Sequence, residues 1–163
     1  MVAEADRAGL PYAVACVMLM LESSVRGPDG VVRGGHNVYG HDRGACFSDP
    51  GIHYVTEENY QQYLKCVRDG GKRNGVGPAQ LTYWSLQGKA DERGGCWDPT
   101  VSTSVGIEHL ADQVRRHGAR DGFAFYNTGR AYVPSKPPAP PNYAEKAMAL
   151  LPRWEQVVTR ASG

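Results

Sequence analysis

The sequence has almost no net charge: eighteen Lys and Arg stand against seventeen Asp and Glu, leaving +1. No overall field draws such a chain to a polyanion or an anionic lipid surface, so nucleic-acid or membrane binding is not expected as its main function. Close cysteine pairs are missing as well. Cys16, Cys46, Cys66 and Cys96 include no C-x-x-C spacing, which argues against a cysteine zinc site. His36, His41, His53, His109 and His117 form no H-E-x-x-H pattern, so neither a metal nor another cofactor is expected. Membrane-length apolar runs are lacking too. Leu10 to Leu21 is apolar throughout but covers twelve residues, short of the ~20 that a spanning helix needs. It also lacks the flanks of an export signal, because Glu4 and Asp6 outnumber Arg7 ahead of it and Glu22-Ser23-Ser24 follows it. Without export, thiols stay reduced, so free cysteines are the first expectation, with Cys16 in the core; in an oxidising compartment two of Cys46, Cys66 and Cys96 could instead pair.

Loops and helices are what the sequence does contain. A chain of 163 residues can bury a real core as one domain, residues 1–163. Twenty Gly, eleven Pro and nine Tyr suggest ordered loops around a modest set of helices. Pro11 suits the first turn of a helix that is apolar on every face and ends near Glu22, and this helix should be central and buried. Gly27, Pro28, Gly30, Gly34, Gly35, Gly40, Gly44, Pro50 and Gly51 then mark a loop too long to be mere connection. Thr56 with Glu57 and Glu58 signals a second helix, which Gly70-Gly71 stops. Gly75, Gly77 and Pro78 form a tight turn into Ala79–Trp84, either a short strand or a helix entry. Asp98-Pro99 opens a helix that runs to Gly118. Asn142 opens the last helix, with Glu145 as its capping partner and Pro152 as an expected kink. Pro134–Pro141 reads as an extended surface loop inside the single domain. The expected class is mainly α: helices around a central buried one, with a small β and loop region beside a substrate cleft.

Glu22 is the chemical anomaly. A carboxylate that ends an apolar helix just before a Gly-rich loop is partly desolvated, and burial should raise its pKa toward that of a general acid for a glycosidic oxygen. The bland alternative is a helix-ending residue in solvent, or one paired with Arg26. Asp42, in a loop beside His41, is either a turn residue or a second carboxylate. Glu57 and Glu58 are further candidates for a second carboxylate, although acidic residues in a helix's first turn are equally explained by the dipole.

Three motifs carry a resemblance. Glu22-Ser23 resembles the Glu-Ser motif of soluble lytic transglycosylases and goose-type lysozymes. Gly75-Val76-Gly77-Pro78-Ala79-Gln80-Leu81-Thr82 is similar to their Gly-Leu-Met-Gln segment, and Phe125-Tyr126-Asn127-Thr128-Gly129 to their Ala-Tyr-Asn-Ala-Gly segment. Asn37–Asp42 and Gly94–Pro99 add a likeness to catalytic domains of endolysins from phages of actinobacteria. Pro78-Ala79 departs from the Leu-Met of the transglycosylases, and the second motif equally resembles a segment of plant-type chitinases. The resemblance implies a lysozyme-like fold and cleavage of β-1,4-linked amino sugars in peptidoglycan glycan strands by a monomer. It also implies synthesis in a host bacterial cytoplasm and action on the cell wall. Glu22 is then the catalytic acid, joined by Asp42 if a hydrolase needs a second carboxylate. Ser23, Gln80, Tyr83, Tyr126 and Asn127 would bind substrate, with amides and phenols matched to acetamido sugars. Tyr83 or Trp84 would supply a sugar-stacking wall, while Trp154 belongs to the core. Two readings from other classes remain. One is a thiol amidase using Cys46 with His36 or His53; the other is a wall-binding module without turnover.

Overall fold

The computed structural model describes residues 2–47 and 53–161. The protein is mainly helical with one small two-stranded sheet. In chain order the described elements are α1 (Val2–Ala8), α2 (Tyr12–Glu22), β1 (Val25–Arg26), β2 (Val32–Arg33), α3 (Glu57–Arg68), α4 (Trp84–Asp91), α5 (Pro99–Thr128) and α6 (Tyr143–Ala161). They gather into two compact units. Unit 1 combines Met1–Leu21 with Ile107–Gly163, and unit 2 is Glu22–Gly106. No helix of the described residues is long and apolar enough to cross a membrane.

Unit 1 begins with α1, which the sequence reading did not anticipate. Gly9, at φ +65°, turns the chain after it into Pro11. The Pro11 carbonyl accepts from Val14 N and so opens α2. Ala13 through Leu19 are all buried, as expected of a helix that is apolar on every face. Gly118 stops the first stretch of α5 as expected, but only as a break (φ 77°, ψ 170°), after which the chain re-enters helix as far as Thr128. Gly122 lies close to the earlier stretch: a Cβ there would be 2.8 Å from Val114 Cα and 2.9 Å from Val114 N. Only a residue without a side chain permits that approach.

The start of α6 bears out its expected capping box. Glu145 N donates to Asn142 Oδ1 and Asn142 N to Glu145 Oε2. Helix α6 then continues past Pro152, so the proline does not interrupt it. Glu145 does more than cap. It also accepts from Ser135 N and Tyr132 Oη, which ties the proline-rich loop to α6. Those donors, the Ser135 amide foremost, pull its carboxyl down to about 2. Trp154 is half-buried rather than a full core residue.

Unit 2 is loop-rich. Thr56 caps α3 as expected, its hydroxyl accepting from Asn59 N while the Asn59 side chain accepts from Thr56 N. Asp98 caps α5 by accepting from Thr100 N and Val101 N. The ambiguous segment after Pro78 resolves into both readings, since Leu81 bridges Val76 and Trp84 opens α4. The long loop after Glu22 carries the β1–β2 hairpin; its markers Pro50 and Gly51 lie outside the described residues. Tyr39, Tyr60 and Tyr63 form the aromatic core, with Phe47 stacked on Tyr39 at 4.5 Å.

The expectation of free thiols is overturned for two cysteines. Cys46 and Cys66 form a disulfide, which their spacing of twenty residues did not signal and their folded proximity permits. A Cβ on Gly71 would lie 2.5 Å from both sulfurs. Cys16 and Cys96 are free and buried.

Two outcomes test this packing. Gly122→Ala should destabilise the protein by about 1–3 kcal/mol through overpacking, whereas Gly88→Ala, in open space on α4, should stabilise it by up to ~1 kcal/mol; urea midpoints measure both. The Glu145 carboxyl is depressed from 4.5 to about 2, so its contribution is complete above pH 4.5 and lost as pH falls toward 2. In Glu145→Gln the acid-side decline of the urea midpoint should be shallower than in the wild type.

Candidate functional site

The site is organised by the turn Gly75–Thr82 in unit 2. Val76 and Leu81 exchange both backbone hydrogen bonds, and Gln80 N donates to Gly77 O, closing a four-residue loop with Pro78 at its second corner. Gly77, at φ +77°, supplies the left-handed corner. Gln80 closes the loop at φ +49°, a strained conformation for a residue with a side chain. Its amide offsets that strain, since Nε2 donates to Val38 O and Gly77 O, both at 2.9 Å. Oε1 rests against Gly40 and Gly75, where added Cβ atoms would lie 2.4 and 2.6 Å from it. Gln80 therefore fastens its own turn through its carboxamide nitrogen, which donates to Val38 O and Gly77 O.

Ser23 connects this turn to the end of α2. Its buried hydroxyl donates to Pro78 O at 2.7 Å and accepts from Gly35 N at 3.1 Å. Ser23 is thus a structural strut across 55 residues, and its oxygen is already engaged. Glu22, directly before it, is the last residue of α2 and is half-buried. The first two motifs consequently meet in one unit.

Asp42 belongs to the same cluster. Its Oδ2 accepts from Gly75 N at 3.2 Å, so the loop carboxylate holds the backbone at the base of the turn. Tyr83 precedes α4 and is 44% exposed, with Trp84 beside it at 74%. Burial does not account for this exposed aromatic pair.

The third motif lies in unit 1. Tyr126 is buried, its hydroxyl 3.7 Å from Met18 Sδ and its ring 5.5 Å from that of His109, as a core aromatic would be. Asn127 follows it on the surface.

Sequence reasoning missed two residues that hold unit 2 together. The fully buried Asn74 donates to Gly40 O and Phe47 O and accepts from Phe47 N. Gln87 donates to Asn74 O and Leu81 O and accepts from Tyr63 Oη. Neither has a local signature, since Asn74 lies in the loop after α3 and Gln87 in the short helix α4.

The thiol-amidase reading fails on the cysteines. Cys46 is bridged to Cys66 and so offers no thiolate, while burial raises the Cys16 thiol above its usual value and pushes that of Cys96 up to about 12. No group of three or more potential metal ligands occurs among the described residues. Compared with family models, with curated proteins and with solved structures, the chain matches none.

Ser23→Ala removes one buried donor and strands the Pro78 carbonyl and the Gly35 amide. It should cost about 1–3 kcal/mol, read as a lower urea midpoint, and any activity assigned to Glu22 should fall with it. An unchanged midpoint would contradict the strut.

Proposed function

We propose that this protein has a lysozyme-like fold and cleaves the β-1,4 bond between N-acetylmuramic acid and N-acetylglucosamine in peptidoglycan. It acts as a lytic transglycosylase and as the catalytic domain of a phage endolysin. The observation that carries this reading is the Ser23 Oγ to Pro78 O hydrogen bond. It joins the acid-bearing helix end to the Gly-Val-Gly-Pro-Ala-Gln-Leu-Thr turn, the two motifs that share unit 2.

In this reading the half-buried Glu22 carboxyl gives its proton to the bridging oxygen as the glycosidic bond breaks. The resulting carboxylate then takes the proton of the muramic 6-hydroxyl, whose oxygen closes on the anomeric carbon. One carboxyl group serves both steps and ends protonated again. Gln80 Oε1 offers an acceptor to an acetamido N–H, and Tyr83 and Trp84 offer faces for sugar rings.

A hydrolytic muramidase or chitinase-like route is the second reading, and Asp42 favours it by standing at the base of the Gln80 turn. Its product would carry a reducing end, whereas the transglycosylase leaves a 1,6-anhydro end. Mass spectrometry of digested peptidoglycan separates the two.

Glu22→Gln, folded by circular dichroism, should reduce turbidity clearance of cell walls by about 10²- to 10⁴-fold. Full activity in that variant refutes the assignment. A wild-type protein that binds walls without clearing them would make it a binding module. Asp42→Asn can still accept from Gly75 N, so it tests charge separately from folding: retained lysis supports the single-acid route, and lost lysis supports the hydrolase.

A further inference from the structure

Unit 1 contains a cavity of about 410 Å³ formed by the end of α5, the loop after it and the start of α6. That size lies within the ~300–1,000 Å³ typical of small-molecule sites. Tyr132, Val133 and Tyr143 give it an apolar and aromatic wall.

Several polar groups around the cavity are already committed. Thr128 Oγ1 donates to Ala124 O and accepts from Arg130 N. Asn142 donates to Val133 O through its side chain and caps Glu145. Tyr132 donates its hydroxyl to Glu145 and its amide to Asp121, while the Arg120 guanidinium lies 5.3 Å above its ring. The wall is thus fixed before any ligand arrives, which lowers the ordering cost of binding.

Two lining residues stand apart. The Asn127 amide and the Arg130 guanidinium make no hydrogen bond or ion pair with another described residue. Each alone would read as a solvated surface side chain. Together, on one preformed cavity, they supply a planar cation suited to a carboxylate and an amide that both donates and accepts. Arg130 is the only Lys or Arg among the lining residues. A single cation suits one carboxylate better than a phosphate chain, which would call for several.

We propose that this cavity binds the end of a short N-acylated peptide, with its terminal carboxylate on Arg130, a peptide group on Asn127 and its side chains against Tyr132 and Val133. The site lies wholly within unit 1 and does not depend on glycan cleavage. A protein that fails to clear walls still tests it.

The probe is N-acetyl-alanyl-alanine, titrated into the full chain and followed by amide NMR shifts. Saturable shifts should centre on Asn127, Arg130, Tyr132 and Ala144. The C-terminally amidated peptide should bind about ten- to a hundredfold more weakly, and Arg130→Gln should weaken the acid form by a similar factor. Asn127→Ala should weaken both forms by about two- to tenfold. Arg130→Gln should melt with the wild type, since its guanidinium has no described partner to lose. Equal binding of acid and amide, undiminished affinity in Arg130→Gln, shifts centred elsewhere, or no shift at millimolar peptide would each overturn the proposal.

Discussion

Side-chain amides take the place of a sheet in the loop-rich unit. Among the described residues of this unit there are two short strands and isolated bridges, so many backbone carbonyls have no ladder partner, and a buried carbonyl without a donor costs free energy comparable to a lost hydrogen bond. Asn37 supplies donors to Val55 O and Trp97 O, Asn74 to Gly40 O and Phe47 O, Gln80 to Val38 O and Gly77 O, and Gln87 to Asn74 O and Leu81 O. Each carboxamide presents two hydrogens and so joins two chain segments at once. Removing one would strand two carbonyls rather than one, which makes the network cooperative.

That economy shapes the candidate site. Gly40 and Gly75 must lack side chains because the Gln80 carboxamide occupies the space beside them. Gln80 tolerates its left-handed backbone because the same carboxamide returns two hydrogen bonds. Gly40 and Gly75 therefore make room for a side chain of the chain itself, and the motif is a folding device. Ser23 extends the principle to the helix end: a hydroxyl that both donates to Pro78 O and accepts from Gly35 N fixes the residue next to Glu22.

What the sequence made legible was local. Thr56, Asp98-Pro99 and Asn142 with Glu145 are capping signals written within four residues, and all three mark real helix starts. The uniformly apolar α2 is equally readable, because burial on every face needs no partner identity. What escaped was non-local. The Cys46–Cys66 bridge depends on the course of a loop that no spacing encodes. Asn74 and Gln87 are polar residues whose partners are distant backbone atoms. The second stretch of α5 escaped for another reason: Gly118 does stop a helix, and resumption after a single residue leaves no mark in composition. At the candidate site, Glu22, Ser23, Asp42 and Gln80 were identifiable as special, but not that Ser23, Asp42 and Gln80 would spend polar atoms on backbone groups.

The proline-rich loop obeys the same economics with a charge in place of an amide. Glu145 collects Ser135 N, Asn142 N and Tyr132 Oη at a single carboxylate. The Ser135 amide and hydroxyl, with the Asn142 amide and the Tyr132 hydroxyl, account for its depressed pKa, and they hold a stretch whose prolines donate no hydrogen bonds of their own. Composition alone casts such a stretch as a spacer. Anchored near both ends, at Ser135 and Asn142, it is instead tied to α6, next to a cavity on which the Asn127 amide and Arg130 guanidinium have no described partner. A folded chain leaves polar groups unspent most cheaply where water still reaches them, and those are the positions from which it can engage something else.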